Sequence, residues 1–184
     1  MLDDSTMQDF LEFGRDIFLR GLISSHAGNM SVKVRNKIYI TRRGSMLGRL
    51  KPEDIIAVDH EDLDDPNMAK ASTEYVVHRA IYSATDAKAI VHTHPPYATL
   101  LSFEGEIVPV DAEGLYYFSR IPVACPKRPI GSEESAELVS EVLKDNRIVL
   151  VRGHGSFARG ETLEEGFMLT TSMESAAFYL YHLK

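Results

Sequence analysis

Cysteine is almost missing from this 184-residue sequence: Cys125 stands alone. One thiol excludes an internal disulfide and a cysteine-rich zinc site, and such usage suits a reducing compartment. Positive charge is not in excess either. Lys plus Arg number 20 against 27 Asp plus Glu, a net charge of −7, which argues against a bulk nucleic-acid binder. No apolar run approaches the roughly 20 residues that cross a bilayer; the stretches near 89–91 and 176–180 have the length of core elements. The opening Met1-Leu2-Asp3-Asp4 is acidic with no apolar segment behind it, so neither a secretory leader nor a membrane partner is expected and a cytoplasmic protein is. No repeat, low-complexity tract or long linker divides the chain. A single domain over 1–184 is therefore expected, and a chain of this size buries a full core. Seven histidines remain as the candidates for metal chemistry.

The pattern that is present mixes two periods. Met7, Phe10, Leu11, Gly14, Ile17 and Phe18 recur at helical spacing and predict a helix over 6–21. Segments 29–34 and 37–41 read as a hairpin around Arg35-Asn36, followed by a turn at 52–54 and a strand at 55–59. Val76, Val77, Ala80, Ile81 and Ala84 predict a helix over 73–84 with Ser72 as its N-cap. A strand over 89–94 is stopped by Pro95-Pro96. A helix at 97–103, strands at 107–110 and 122–124, a helix after Ser132 and a strand of branched residues at 148–151 follow. Thr162 with Glu165 three residues on is a capping box opening the last helix. Strands and helices mixed in this way imply a layered α/β domain, whose strand order the pattern does not give.

Three histidines carry the chemistry. His92 and His94 alternate along a predicted strand and so face one side of it. His154 stands between Gly153 and Gly155 after another apolar strand, where glycines let the backbone approach a neighbour closely. Three imidazoles at strand ends suit a tetrahedral zinc site with one position open. Glu74, in the first turn of its helix, is either a capping carboxylate or a general base near that metal. His78, one turn on, reads as a packed or hydrogen-bonded histidine; His26, His60 and His182 read as surface or structural. Gly28-Asn29, Arg42-Arg43-Gly44 and Ser72-Thr73 offer backbone N–H groups and positive charge to an anion.

Taken together, Ala27-Gly28-Asn29-Met30-Ser31, Ile40-Thr41 with Gly44, Ser72-Thr73-Glu74 with His78, His92-Thr93-His94, and Gly153-His154-Gly155 with Gly160 resemble the class II aldolase and adducin head-domain family, and within it the L-fuculose-1-phosphate aldolases. The resemblance implies a central, mostly antiparallel sheet flanked by helices, and a homotetramer with active sites at subunit interfaces. It implies that His92, His94 and His154 bind one zinc ion, that Glu74 is the acid/base, and that Gly28, Asn29, Arg43, Gly44, Ser72 and Thr73 hold the phosphate of a sugar phosphate. The implied reaction is reversible cleavage of a ketose 1-phosphate to dihydroxyacetone phosphate and a short aldehyde through a metal-stabilised enediolate. Related epimerases, dehydratases and decarboxylases share the scaffold, as does the non-catalytic adducin head. Two departures from the aldolase pattern stand out. Arg42-Arg43 replace a proline and a small hydroxyl residue in the phosphate loop, and no tyrosine aligns with the family's catalytic one, leaving Asp111, Glu113, Tyr116 and Tyr117 as candidates. The sequence stops at Lys184 without the tail that helps to line the family's aldehyde pocket, so the aldehyde stays open.

Overall fold

The computed structural model describes residues 2–183. Its centre is one seven-stranded sheet in the order β3-β2-β1-β4-β7-β6-β5. The strands are β1 (Asn29–Val34), β2 (Lys37–Thr41), β3 (Ile55–Asp59), β4 (Ala89–Thr93), β5 (Val123–Ala124), β6 (Ile148–Val151) and β7 (Gly155–Gly160). Every neighbouring pair is antiparallel except β5 with β6. The helices are α1 (Asp4–Leu19), α2 (Tyr75–Ala84), α3 (Pro96–Leu101), α4 (Ala112–Tyr117), α5 (Glu133–Asp145) and α6 (Leu163–His182).

Alternation along the strands makes the layers. Val149, Val151, Ile90 and Phe157 pack with Val77 and Ile81 of α2 and Val139 and Leu143 of α5. Their neighbours turn the other way: Ile148, Leu150 and Ala158 meet Leu169 and Met173 of α6, and Val91 joins Phe10 and Ile17 of α1. With both faces covered, β6 is a continuous apolar run and β4 is buried along its whole length. Thr162 caps α6 as expected, accepting from the Glu165 N–H.

Four expectations are corrected. The second helix starts at Tyr75, with Glu74 rather than Ser72 at the N-cap position. Ser72 instead closes a turn ahead of the helix: its hydroxyl accepts from the Glu74 N–H at 3.3 Å and its carbonyl from the Tyr75 N–H at 3.0 Å, while its own N–H donates to the Thr41 carbonyl. β4 ends at Thr93, one residue early, because the His94 N–H leaves the ladder for the Leu22 carbonyl. The segment 107–110 is no strand but a lone bridge between Ile107 and Ile121; Pro109 has no N–H to extend it. Helix α4 was not expected, and Asp111 caps it by accepting from the Gly114 N–H.

Candidate metal centre and active-site pocket

The site lies where β4 and β7 run side by side in the middle of the sheet, with Thr93 paired to Ser156 and His92 to Phe157. Gly155 permits this closeness: a Cβ there would stand 2.2 Å from the Thr93 carbonyl oxygen and 2.8 Å from the His94 ring. The Thr93 and Ser156 hydroxyls hydrogen-bond at 2.9 Å and tie the two strand ends together. His92 on β4, His94 just past it and His154 just before β7 therefore converge. Their ring centroids form a near-equilateral triangle with sides of 4.9, 4.9 and 4.8 Å.

This donor set fits a metal ion. One nitrogen from each ring lies within 4.8 Å of the other two, and the Nε2 atoms of His92 and His94 are 3.0 Å apart. His92 Nδ1 stands 2.8 Å from the Ser156 carbonyl. It must donate there, which leaves Nε2 with its lone pair toward the centre. Burial, aided by the neighbouring imidazoles, holds His92 well below the usual histidine range. Burial first and His154 second push His94 down to about 4. Burial also lowers His154, against a partly opposing Pro129 carbonyl. Three neutral imidazoles are what a divalent cation requires of histidine ligands.

Glu74 completes the group from the start of α2. Its Oε1 lies 3.8 Å from His154 Nε2 and accepts from the Gly131 N–H at 3.1 Å. Oε2 is buried with no hydrogen-bond partner. Burial raises this carboxyl to about 7, partly offset by the Gly131 bond. The helix N-terminus alone would favour the ionised form; here desolvation dominates.

A cavity of about 160 Å³ opens onto these groups, and every residue expected at the site lines it: Gly28, Asn29, Arg43, Gly44, Ser72, Thr73, Glu74, His92, His94 and His154. Two backbone links assemble the loop side of the cavity. The Arg43 N–H donates to the Lys70 carbonyl and Ser72 to Thr41, which draws loop 42–45 against segment 70–74. Gly28 takes φ +77°, and a Cβ there would press on Ile23 at 2.7 Å and on the His92 carbonyl at 3.0 Å. The two arginines part company. Arg42 makes two hydrogen bonds to Asp54 Oδ1, at 3.0 and 2.6 Å, and is neutralised by it. The Arg43 side chain has no such partner among the described residues. Asn29 Oδ1 is buried and unpaired at the same cavity.

Sequence reasoning missed several contributors. Ser156 and Gly131 act through the backbone, which carries no side-chain signal. Ile130 lines the cavity and is largely exposed. His26, read as surface or structural, also lines it. The four residues left as candidates for the place of the family's catalytic tyrosine do not line this cavity. Asp111 caps α4, Glu113 accepts from the Ser172 hydroxyl at 2.8 Å, and Tyr116 is exposed.

Comparison with known proteins agrees over nearly the whole chain. Residues 8–181 match the class II aldolase and adducin N-terminal domain family. An L-fuculose phosphate aldolase of Methanococcus maripaludis is 31% identical over 173 residues, covering 93% of each chain. A 3-oxo-tetronate 4-phosphate decarboxylase of Haemophilus influenzae is 31% identical over 195 residues, covering all of this chain and 90% of its own. The crystal structure of L-fuculose-1-phosphate aldolase from Thermus thermophilus superposes with a TM-score of 0.93 at 41% identity, covering 98% of this chain and 95% of that one.

Proposed function

This chain belongs to the class II aldolase and adducin N-terminal domain family, and on that premise we propose that it is a zinc-dependent aldolase. It reversibly cleaves a ketose 1-phosphate, such as L-fuculose 1-phosphate, to dihydroxyacetone phosphate and a short, lactaldehyde-like aldehyde. One observation carries the reading. Three neutral imidazoles and a carboxyl poised at about 7 share a single pocket with an unpaired arginine. A non-catalytic scaffold has no physical need for that combination.

His92, His94 and His154 would hold the zinc ion, which when bound supplies Lewis acidity for the negative charge that develops as a proton leaves the carbon beside a carbonyl. The rest is done by the chain's own groups. Glu74 is held through Oε1 by the Gly131 N–H, and its carboxylate takes the proton and later returns it. A carboxyl near 7 does both at neutral pH, where a group matched to ambient pH transfers protons most effectively. Arg43, the N–H groups of Gly28, Gly44 and Thr73 and the Ser72 hydroxyl bind the phosphate, with Asn29 beside them. Arg42 shapes the loop through Asp54. We further propose a homotetramer. Exposed Leu19, Phe178 and Tyr179 line a surface groove of about 440 Å³ beside Tyr97, which supports burial against another chain.

Glu74→Gln tests the reading. The variant is expected to retain bound zinc and to lose cleavage by about 10²-fold or more; full activity would overturn the assignment. A second reading, decarboxylation of a sugar-acid phosphate, has the Haemophilus influenzae relative in its favour. Release of carbon dioxide rather than dihydroxyacetone phosphate would select it.

A further inference from the structure

Behind the histidine triangle lies a fourth histidine that the mechanism does not use. His78 on α2 is completely buried, and burial pushes it down to about 3, so it is neutral. Its Nδ1 lies 2.7 Å from the Ser31 hydroxyl of β1, which in turn lies 2.8 Å from the Tyr82 hydroxyl. The ring is thus anchored along one edge. Its Nε2 is buried without a partner. An unsatisfied buried polar atom is destabilising, so histidine is a poor choice for merely filling this space.

What the ring touches is Phe157. The two rings meet edge to face, 5.8 Å between centroids at 74°. Phe157 in turn lies almost flat against His92, 4.1 Å away at 18°. The Ser156 carbonyl fixes His92 at Nδ1 only; one hydrogen bond leaves the ring free to tilt about that contact. The face of Phe157 removes the tilt, and His78 blocks Phe157 from moving away. Residues from α2, β1, β7 and β4 are joined in one line, and the His78 N–H also donates to the Glu74 carbonyl in the first turn of α2.

We propose that His78 is a positioning residue for His92, acting through the Phe157 ring that stands between them. The proposal rests on the metal reading above. Orientation of a ligating imidazole by groups behind it typically changes metal affinity by about 10- to 100-fold, so the effect is open to measurement without turnover.

Two variants separate the ring from its anchor. His78→Asn retains an amide that reaches Ser31 but removes the ring edge from Phe157. His78→Phe retains the ring and forfeits the Ser31 bond. Zinc affinity is measured by competition with a chromophoric chelator, alongside Tm and the kcat and KM of the zinc-loaded protein. His78→Asn is expected to weaken zinc binding about tenfold or more and to lower kcat more than it raises KM. His78→Phe is expected to bind zinc within about threefold of wild type despite a lower Tm. Zinc affinity within twofold of wild type in His78→Asn, with only Tm reduced, would overturn the proposal, as would equal weakening in both variants. Should His78→Asn not fold, Phe157→Leu serves instead: weakened zinc binding supports the line and unchanged binding overturns it. Wild-type protein that takes up no zinc defeats the metal reading and this inference together. Wild-type uptake with an unchanged variant defeats this inference alone.

Discussion

Arg42 and Arg43 adjoin in sequence yet have separate fates, because Asp54 faces only the first. Arg43→Ala is expected to raise KM for the sugar phosphate about tenfold or more, since a hydrogen bond to a charged group is worth about 1.5–3 kcal/mol. Arg42→Ala should act through the loop, lowering Tm with a smaller effect on KM. Steady-state kinetics of the pair checks this, and equal KM effects would contradict it. Glu74 gives a second prediction at this scale. Its folded pKa lies above the ordinary value, at about 7 against 4.5. The stability it contributes is full below about 4.5 and lost as pH rises through about 7. Ionised Glu74 therefore destabilises the metal-free protein by about 3 kcal/mol above neutrality. Glu74→Gln should have a higher Tm than wild type at pH 8.5 in the presence of a chelator, and a much smaller gain at pH 4.5. Calorimetry at both values decides it; a gain independent of pH would contradict the burial argument.

Among the elements, β4 and β7 matter most, since their pairing sets the distance between His92, His94 and His154. Gly155→Ala places a methyl 2.2 Å from the Thr93 carbonyl, so the strand ends must separate. Loss of zinc affinity by more than about tenfold is expected, read by chelator competition, even where circular dichroism shows an intact fold. Helix α3 is too short to stand alone, and its N-terminus is held by α6. Both oxygens of Glu174 accept, one from the Tyr97 N–H and one from the Ala98 N–H, each at 2.9 Å. Glu174→Ala leaves two N–H groups without that acceptor and should destabilise the fold by about 1–3 kcal/mol in chemical denaturation.

Much of this was legible in the sequence at the level of elements. The branched run of β6, the periodic stripe of α2 and the capping box of α6 each carry a local signal strong enough to survive tertiary packing. Helix α4 does not: six residues with an internal glycine form no stripe, and Asp111 alone marked its start. Ser72 looked like the helix cap because nothing local announces that its hydroxyl and carbonyl close a turn onto Glu74 and Tyr75 before the helix begins. At the site, His92 and His94 were legible from their spacing and His154 from its flanking glycines, whereas Gly131 and Ser156 were not, since they hold Glu74 and His92 through a peptide N–H and a carbonyl.

At the scale of the whole molecule, the sheet order brings together loops far apart in sequence: 28–29, 42–45, 72–74, 92–94, 130–131 and 154. No helix among the described residues is long and apolar enough to cross a membrane. Light scattering of the purified protein is expected to give the mass of four chains, and a monomer would remove the tetramer proposal. The most direct test of the central claim is cleavage itself. Zinc-loaded protein is given L-fuculose 1-phosphate, ribulose 1-phosphate and 5-deoxyribulose 1-phosphate, with release of dihydroxyacetone phosphate coupled to a reporter, and is compared with chelator-treated protein and with His92→Ala. The account predicts release from at least one substrate by the zinc-loaded wild type and its loss in both controls. No release from any of the three, with zinc bound, would contradict it.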